Sequence, residues 1–245
     1  MSTAAQPDPV SPGIIEGLSF RLQAVGDRIA QAARAVGRDP AGVTLVAVSK
    51  TFPASAVRAA HAAGQRHFAE NYVQEALDKM AALADLDIIW HFTGPLQSNK
   101  TRDIASHFHW VHSVDREKVA RRLSEQRPPG MTPLHTCLQV NLSGEATKSG
   151  VAPAEVEALA RATAGLAGLS LRGLMAIPAP EHDPALQRAA FARLRSLRDG
   201  LQAVGLPLDT LSMGMSDDLE AAVAEGATLV RVGRAIFGDR PASPP

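Results

Sequence analysis

Residues 43–50 read VTLVAVSK, an apolar and β-branched run that stops abruptly at Lys50. Such a run ahead of a helix-like segment predicts a strand buried on both faces, as in a parallel sheet. A lysine closing it falls at the strand's carboxyl end, where α/β folds place their chemistry. A second stretch far downstream, TLVRVG at 228–233, has the same apolar character and ends in an arginine and a glycine.

Working outward, strands alternate with helices along the chain. Residues 1–12 are small, polar and proline-containing, and are expected to be a disordered tail. Ile14 to Val36 has helical spacing, with Ile14, Leu18, Leu22, Val25, Ile29, Ala32 and Ala33 mainly on one face. Strands are then expected at Val43–Ser49, His67–Asn71, Ile88–Thr93, Trp110–Val114, His135–Leu142, Leu171–Ile177, Thr210–Met213 and Leu229–Val232. Amphipathic or alanine-rich helices separate them, at Ser55–Ala63, Val73–Ala84, Thr101–His107, Glu117–Gln126, Ala154–Ala164, Ala185–Val204 and Asp218–Glu225. Repeated βα units in a chain of 245 residues have the size and order of a (β/α)8 TIM barrel. An open doubly wound sheet is the competitor, but no Gly-x-Gly-x-x-Gly follows the first strand. The expected architecture is α/β, a single-domain barrel over residues 13–240 with an extra N-terminal helix.

A barrel gathers all strand carboxyl ends at one mouth. That groups Lys50, Asn71, Thr93, Gly94, Ser113, Asn141, Ile177, the segment Ser212–Ser216, Arg231 and Gly233. Only five of the 25 basic residues are lysines, so arginine is preferred wherever plain positive charge is wanted. A Schiff base needs a primary amine that can lose its proton, which arginine cannot supply. Barrel phosphate sites lie in the loops after strands seven and eight. Here those loops carry Ser212, Met213, Gly214 and Ser216, then Arg231, Gly233 and Arg234. Ser216 or Asp217 is the expected cap of the next helix. An aldehyde-binding lysine, a phosphate clamp and a ring-facing arginine together predict pyridoxal 5'-phosphate, bound to Lys50 as a Schiff base.

Other features are bland. Formal net charge is zero, which points to neither nucleic acid nor an anionic membrane surface. No apolar run approaches a membrane span and no secretory leader is visible, so a soluble cytoplasmic protein is expected, acting as a monomer. Cys137 is alone, in an apolar run, and is expected to be a small buried residue. His107, His109 and His112 are read as surface or interface histidines opposite the mouth rather than as metal ligands. His91 is read as a satisfied core histidine. Glu145 to Gly150 is a candidate mobile loop over the mouth, where Lys148 is a secondary candidate for cofactor uptake.

With these residues assembled, the chain resembles the pyridoxal phosphate homeostasis protein family, also called the proline synthase co-transcribed family. The marks are AVSK (47–50), ENYVQE (70–75), WHFTGPLQSNK (90–100), GLMAI (173–177), SMGMSDD (212–218) and VRVGRAIFG (230–238). The resemblance implies a barrel like the N-terminal domain of alanine racemase, with Lys50 as the cofactor lysine. It implies further that Ser212, Met213, Gly214, Gly233 and Arg234 hold the phosphate, that Arg231 faces the pyridine nitrogen and that Asn71 lies near the ring. Ala69, Pro95 and Arg234 depart from the glycine, histidine and threonine frequent in relatives. A cationic arginine at the pyridine nitrogen leaves that nitrogen unprotonated and the ring a poor electron sink. The implied role is therefore a carrier and buffer of the cofactor, in transient contact with apoenzymes that need it. An amino-acid racemase is the alternative.

Overall fold

The computed structural model describes residues 12–144 and 149–239. Among them eight parallel strands close into a barrel in sequence order. The strands are β1 (Thr44–Val48), β2 (His67–Glu70), β3 (Ile89–Phe92), β4 (Trp110–Val114), β5 (Leu134–Gln139), β6 (Leu169–Met175), β7 (Thr210–Ser212) and β8 (Leu229–Val232). Closure is made by β1 against β8, in register from Thr44 opposite Leu229 to Ala47 opposite Val232. All eight expected strands form. Two are displaced: β5 stops at Gln139, with Val140 continuing only as an isolated bridge to Val151, and β6 starts two residues early.

The helices are α1 (Pro12–Ala35), α2 (Ala54–Ala62), α3 (Val73–Ala82), α4 (Thr101–His107), α5 (Glu117–Glu125), α6 (Val156–Ala164), α7 (Pro184–Ala203), α8 (Leu219–Ala224) and α9 (Arg234–Phe237). The last was not expected. It begins as soon as β8 ends, at Gly233. No helix among the described residues is long and apolar enough to cross a membrane.

Most apolar burial lies between strands and helices, where Phe68, Phe92, Phe108, Phe191 and Leu194 are fully covered. Burying each such side chain contributes on the order of 2 kcal/mol. Alternate strand residues face inward, and there Val46, Ala69 and Leu229 pack with Val48 and Trp110. The inward layer nearer the mouth is polar instead, holding His91, His112, Ser212 and Arg231, all buried. Cys137 is fully buried, as expected, and burial pushes its thiol up to about 12.

Outside the barrel, α1 lays its buried stripe of Leu18, Leu22, Val25, Ile29, Ala32 and Ala33 across the closure of the barrel, against α8 and α9 on one side and α2 on the other. One arginine within α1 and one just after it reach across. Arg28 donates to the Ser216 carbonyl at 2.9 Å and pairs with Glu220, while Arg38 donates to the Ala227 carbonyl at 2.8 Å. The extra helix thereby fastens the segment that follows β7.

Candidate functional site

A cleft of about 490 Å³ opens at the carboxyl ends of β1 and β8. Its walls include Lys50, Ser216, Arg231, Gly233 and Arg234, so five of the expected residues meet in one place. Phe52 and Phe237 stack beside it with ring centroids 5.1 Å apart. Lys50 leaves β1 just past its end and is half-buried. Thr51 follows at a φ of 69°, a conformation that is costly for a β-branched residue. Its N–H is held by Glu75 Oε1 at 2.6 Å. Strain of this kind persists only where the surroundings impose it.

What imposes it is a buried ionic cluster behind the lysine, in which the Glu75–Lys79 pair follows helical i,i+4 spacing and the link to Glu70 follows none. Lys79 Nζ donates to Glu70 Oε1 at 2.7 Å, to Glu75 Oε1 at 2.6 Å and to the Ser49 carbonyl at 2.8 Å. Ser49 Oγ donates to Glu70 Oε1 at 2.6 Å, and Glu70 Oε2 is buried without a partner among the described residues. Burial raises the Glu70 carboxyl above its ordinary value, against the opposing pull of Lys79 and Ser49.

Arg231 comes up from the barrel interior and is 4% exposed. It donates from Nη1 to Ser212 Oγ at 2.6 Å and from Nη2 to the Ala176 carbonyl at 3.0 Å. Both acceptors are formally neutral, and no carboxylate among the described residues forms an ion pair with it. Burial lowers its pKa to about 10, which still leaves it cationic at neutral pH.

The turn after β7 is shaped by Gly214. Its φ is 93°, and a Cβ there would stand 2.5 Å from that of Ala222, so no larger residue fits. Its carbonyl accepts from the Arg231 N–H at 2.9 Å, tying the two phosphate-loop candidates together. Met213 is buried, and its N–H is used by the Leu229 carbonyl at 3.1 Å. The Ser212 hydroxyl is turned inward to Arg231 and His112. The N-cap position expected at Ser216 or Asp217 is instead Asp218, whose side chain makes no capping bond to α8 but accepts at Oδ1 from the preceding Met215 N–H at 2.6 Å. Ser216 is left lining the cleft.

Asn71 follows β2 and accepts at Oδ1 from Thr93 Oγ1 at 2.9 Å. Gly94 lies directly over it, where a Cβ would come within 2.1 Å of the Asn71 carbonyl. Asn71 is not a wall of the cleft. Arg234 is largely exposed, with Asp239 4.0 Å away. Residues 145–148, including Lys148, lie outside the described residues, as do 1–11 and 240–245.

The histidine reading is corrected in one respect. His107 and His109 are exposed, but His112 is fully buried inside the barrel, because it shares the inward face of β4 with Trp110. His91 is the satisfied core histidine expected, with hydrogen bonds on both ring nitrogens. No three or more His, Cys, Asp or Glu side chains among the described residues are placed so that they could hold a metal ion together.

Residues 20–241 match the family described as alanine racemase, N-terminal domain. The pyridoxal phosphate homeostasis protein of Pseudomonas aeruginosa is 66% identical over 223 residues, covering 91% of this chain and 96% of its own. That of Escherichia coli K12 is 50% identical over 226 residues, covering 91% and 97%. The structure of PipY from Synechococcus elongatus with pyridoxal phosphate bound superposes with a TM-score of 0.79 at 42% identity, covering 90% of this chain and 100% of PipY. Alanine racemase from Corynebacterium glutamicum is similar in fold, with a TM-score of 0.69 at 16% identity over 91% of this chain and 61% of its own. The chain belongs to the pyridoxal phosphate homeostasis protein family, on the barrel of the alanine racemase N-terminal domain.

Proposed function

We propose that the chain binds pyridoxal 5'-phosphate at the mouth of the barrel, holds it as a Schiff base on Lys50, and carries and buffers it for enzymes that lack it. The observation that carries this reading is Arg231. A buried guanidinium with only neutral oxygens for partners is costly to desolvate and calls for an acceptor in the adjoining space. That space holds Lys50, the lysine expected to form the Schiff base.

The residues present fit the cofactor. A cleft of about 490 Å³ is within the usual size of small-molecule sites. Gly214 and Gly233 keep two turns free of side chains, and Ser216 and Arg234 line the same wall. When bound, pyridoxal phosphate supplies an aldehyde that condenses reversibly with a primary amine. Lys50 offers that amine, and the Glu75 bond to Thr51 fixes the turn from which it projects. Arg231 donates toward the ring nitrogen and, remaining cationic, takes no proton from it. Ser216, Gly233 and Arg234 receive the phosphate, Ser212, Met213 and Gly214 shape the turn behind it, and Asn71 stands on the β2 side. Phe52 and Phe237 shield one wall from water.

A racemase would need a second acid or base across from Lys50. The sole tyrosine, Tyr72, is 56% exposed at the start of α3 and does not line the cleft. This favours a carrier without turnover of its own, acting in the cytoplasm through transient contacts with apoenzymes. The test is an absorbance titration of wild type and Lys50→Ala with pyridoxal phosphate, followed by borohydride reduction and peptide mapping. The expected label is on Lys50 alone, with transfer of the cofactor to an apoenzyme. An unchanged absorption band in Lys50→Ala overturns the site, and racemisation of an L-amino acid by wild type, lost in Lys50→Ala, overturns the carrier.

A further inference from the structure

Inside the barrel, side chains from five strands touch one another in a row. His67 Nδ1 is 3.0 Å from His91 Nε2, His91 Nδ1 is 2.9 Å from His112 Nε2, and His112 Nδ1 is 2.7 Å from Ser212 Oγ. The row ends at Arg231, whose Nη1 donates to the same Ser212 Oγ at 2.6 Å. It starts at His67, half-buried where β2 begins, and finishes beneath the mouth where β7 ends. It therefore crosses the barrel from floor to site.

Donor counting gives the row a direction. A guanidinium only donates, so Ser212 spends a lone pair on Arg231. A second lone pair remains, but the proton of the Ser212 hydroxyl has His112 Nδ1 as its one acceptor among the described residues, and satisfying it makes that nitrogen the acceptor. An accepting Nδ1 puts the His112 proton on Nε2, which donates to His91 Nδ1. By the same rule His91 carries its proton on Nε2 and donates to His67 Nδ1. His91 and His112 are then neutral, each with one donor and one acceptor used, and His67 ends the row as an acceptor at Nδ1. Burial agrees: desolvation drives His91 well below its ordinary value and His112 down to about 3, the latter helped by the Arg231 charge. Trp110 stacks on His91 at 5.6 Å and 11° and holds the plane of the ring.

We propose that His67, His91 and His112 are positioning residues that act through Ser212 on Arg231, forming a one-way hydrogen-bonded row that anchors the guanidinium and links it to the barrel floor. Its effect on cofactor binding rests on the pyridoxal phosphate reading, but the row itself belongs to the ligand-free chain. Because each ring hands one proton to the next, no member reverses without the others. A ligand that draws Arg231 off Ser212 thus changes the state of His67, and by linkage the row changes affinity at the mouth.

The test begins with the ligand-free full chain labelled with 15N-histidine, read by long-range proton–nitrogen correlation at neutral pH. The expected result is the neutral Nε2–H form for His67, His91 and His112. In Ser212→Ala the tautomers of all three are expected to become mixed, while His107, outside the row, is unchanged. An Nδ1–H form at His91 or His112 in wild type, or fixed tautomers at His67 and His91 in Ser212→Ala, overturns the proposal. The second arm compares pyridoxal phosphate dissociation constants, with folding checked by circular dichroism. His112→Phe is expected to weaken binding about fivefold or more, and His112→Gln, which keeps one donor and one acceptor, to restore much of it. Equal binding by the two variants overturns positioning through the row. If wild type binds no pyridoxal phosphate, the cofactor reading fails and the tautomers alone decide the row.

Discussion

The backbone N–H of Thr51 donates to Glu75 Oε1 at 2.6 Å, joining the residue after Lys50 to helix α3. Thr51 is the one non-glycine residue among those described with a positive φ, 69°. A β-branched side chain there costs of order 1 kcal/mol or more, whereas asparagine enters this region readily. Thr51→Asn keeps the backbone donor and is expected to raise stability by about 1 kcal/mol in urea denaturation. An unchanged or lower midpoint shows that the turn stores no strain.

Lys79 sits at the centre of the cluster that holds this turn, with its side chain 6% exposed and that of Glu70 fully buried. Removing the lysine leaves a buried carboxylate without its cation. Lys79→Met is expected to cost about 3–5 kcal/mol, and pairing it with Glu70→Leu to recover a large part of that loss. Chemical denaturation of the single and double variants measures the difference. A single variant within about 1 kcal/mol of wild type shows that the cluster contributes little.

The strands were legible because β-branched apolar runs such as TLVAV and LVRV are bounded by glycine and polar residues. Their order alone led to the closed barrel, and closure placed Lys50 beside Gly233 and Arg231. What the sequence hid was which polar residues turn inward. His112 lies in β4, whose pairing with β5 shifts register between Val111 and Val114, so its facing could not be counted from one end. The Lys79–Glu70 pair joins a helix to the strand before it at a separation that follows neither helical nor strand periodicity. Helix α9 has no signature in the sequence because four residues carry no periodic signal.

Acid should weaken the fold before it reaches the carboxylates. Above pH 6.5 the His112 ring is neutral in both folded and unfolded chains, so it contributes no pH dependence. Below that, the unfolded ring takes a proton that the folded ring refuses until about pH 3, because burial lowers its pKa. Stability therefore falls as pH drops through this window. Between pH 7 and pH 5 the loss from His112 alone is about 2 kcal/mol, and His91 is shifted the same way. Urea midpoints over this range measure it, and a flat profile shows that both rings already accept protons in the folded state.

Arg28 offers a way to separate holding the phosphate turn from holding the fold. Its ion pair with Glu220 is open to solvent, the two side chains being 37% and 53% exposed. Screening limits such a pair to about 0.2–1 kcal/mol. The same guanidinium also donates to the Ser216 carbonyl at 2.9 Å, and Ser216 lines the cleft. Arg28→Ala should thus leave the denaturation midpoint nearly unchanged while the turn after β7 loses its tether to α1. Pyridoxal phosphate affinity is expected to fall several-fold, by about the factor of 5 that 1 kcal/mol represents. Arg28→Lys keeps the charge but not the two-handed reach to Ser216 and Glu220, so it should recover only part of the affinity. Unaltered affinity in Arg28→Ala shows that the turn after β7 holds its shape without the helix.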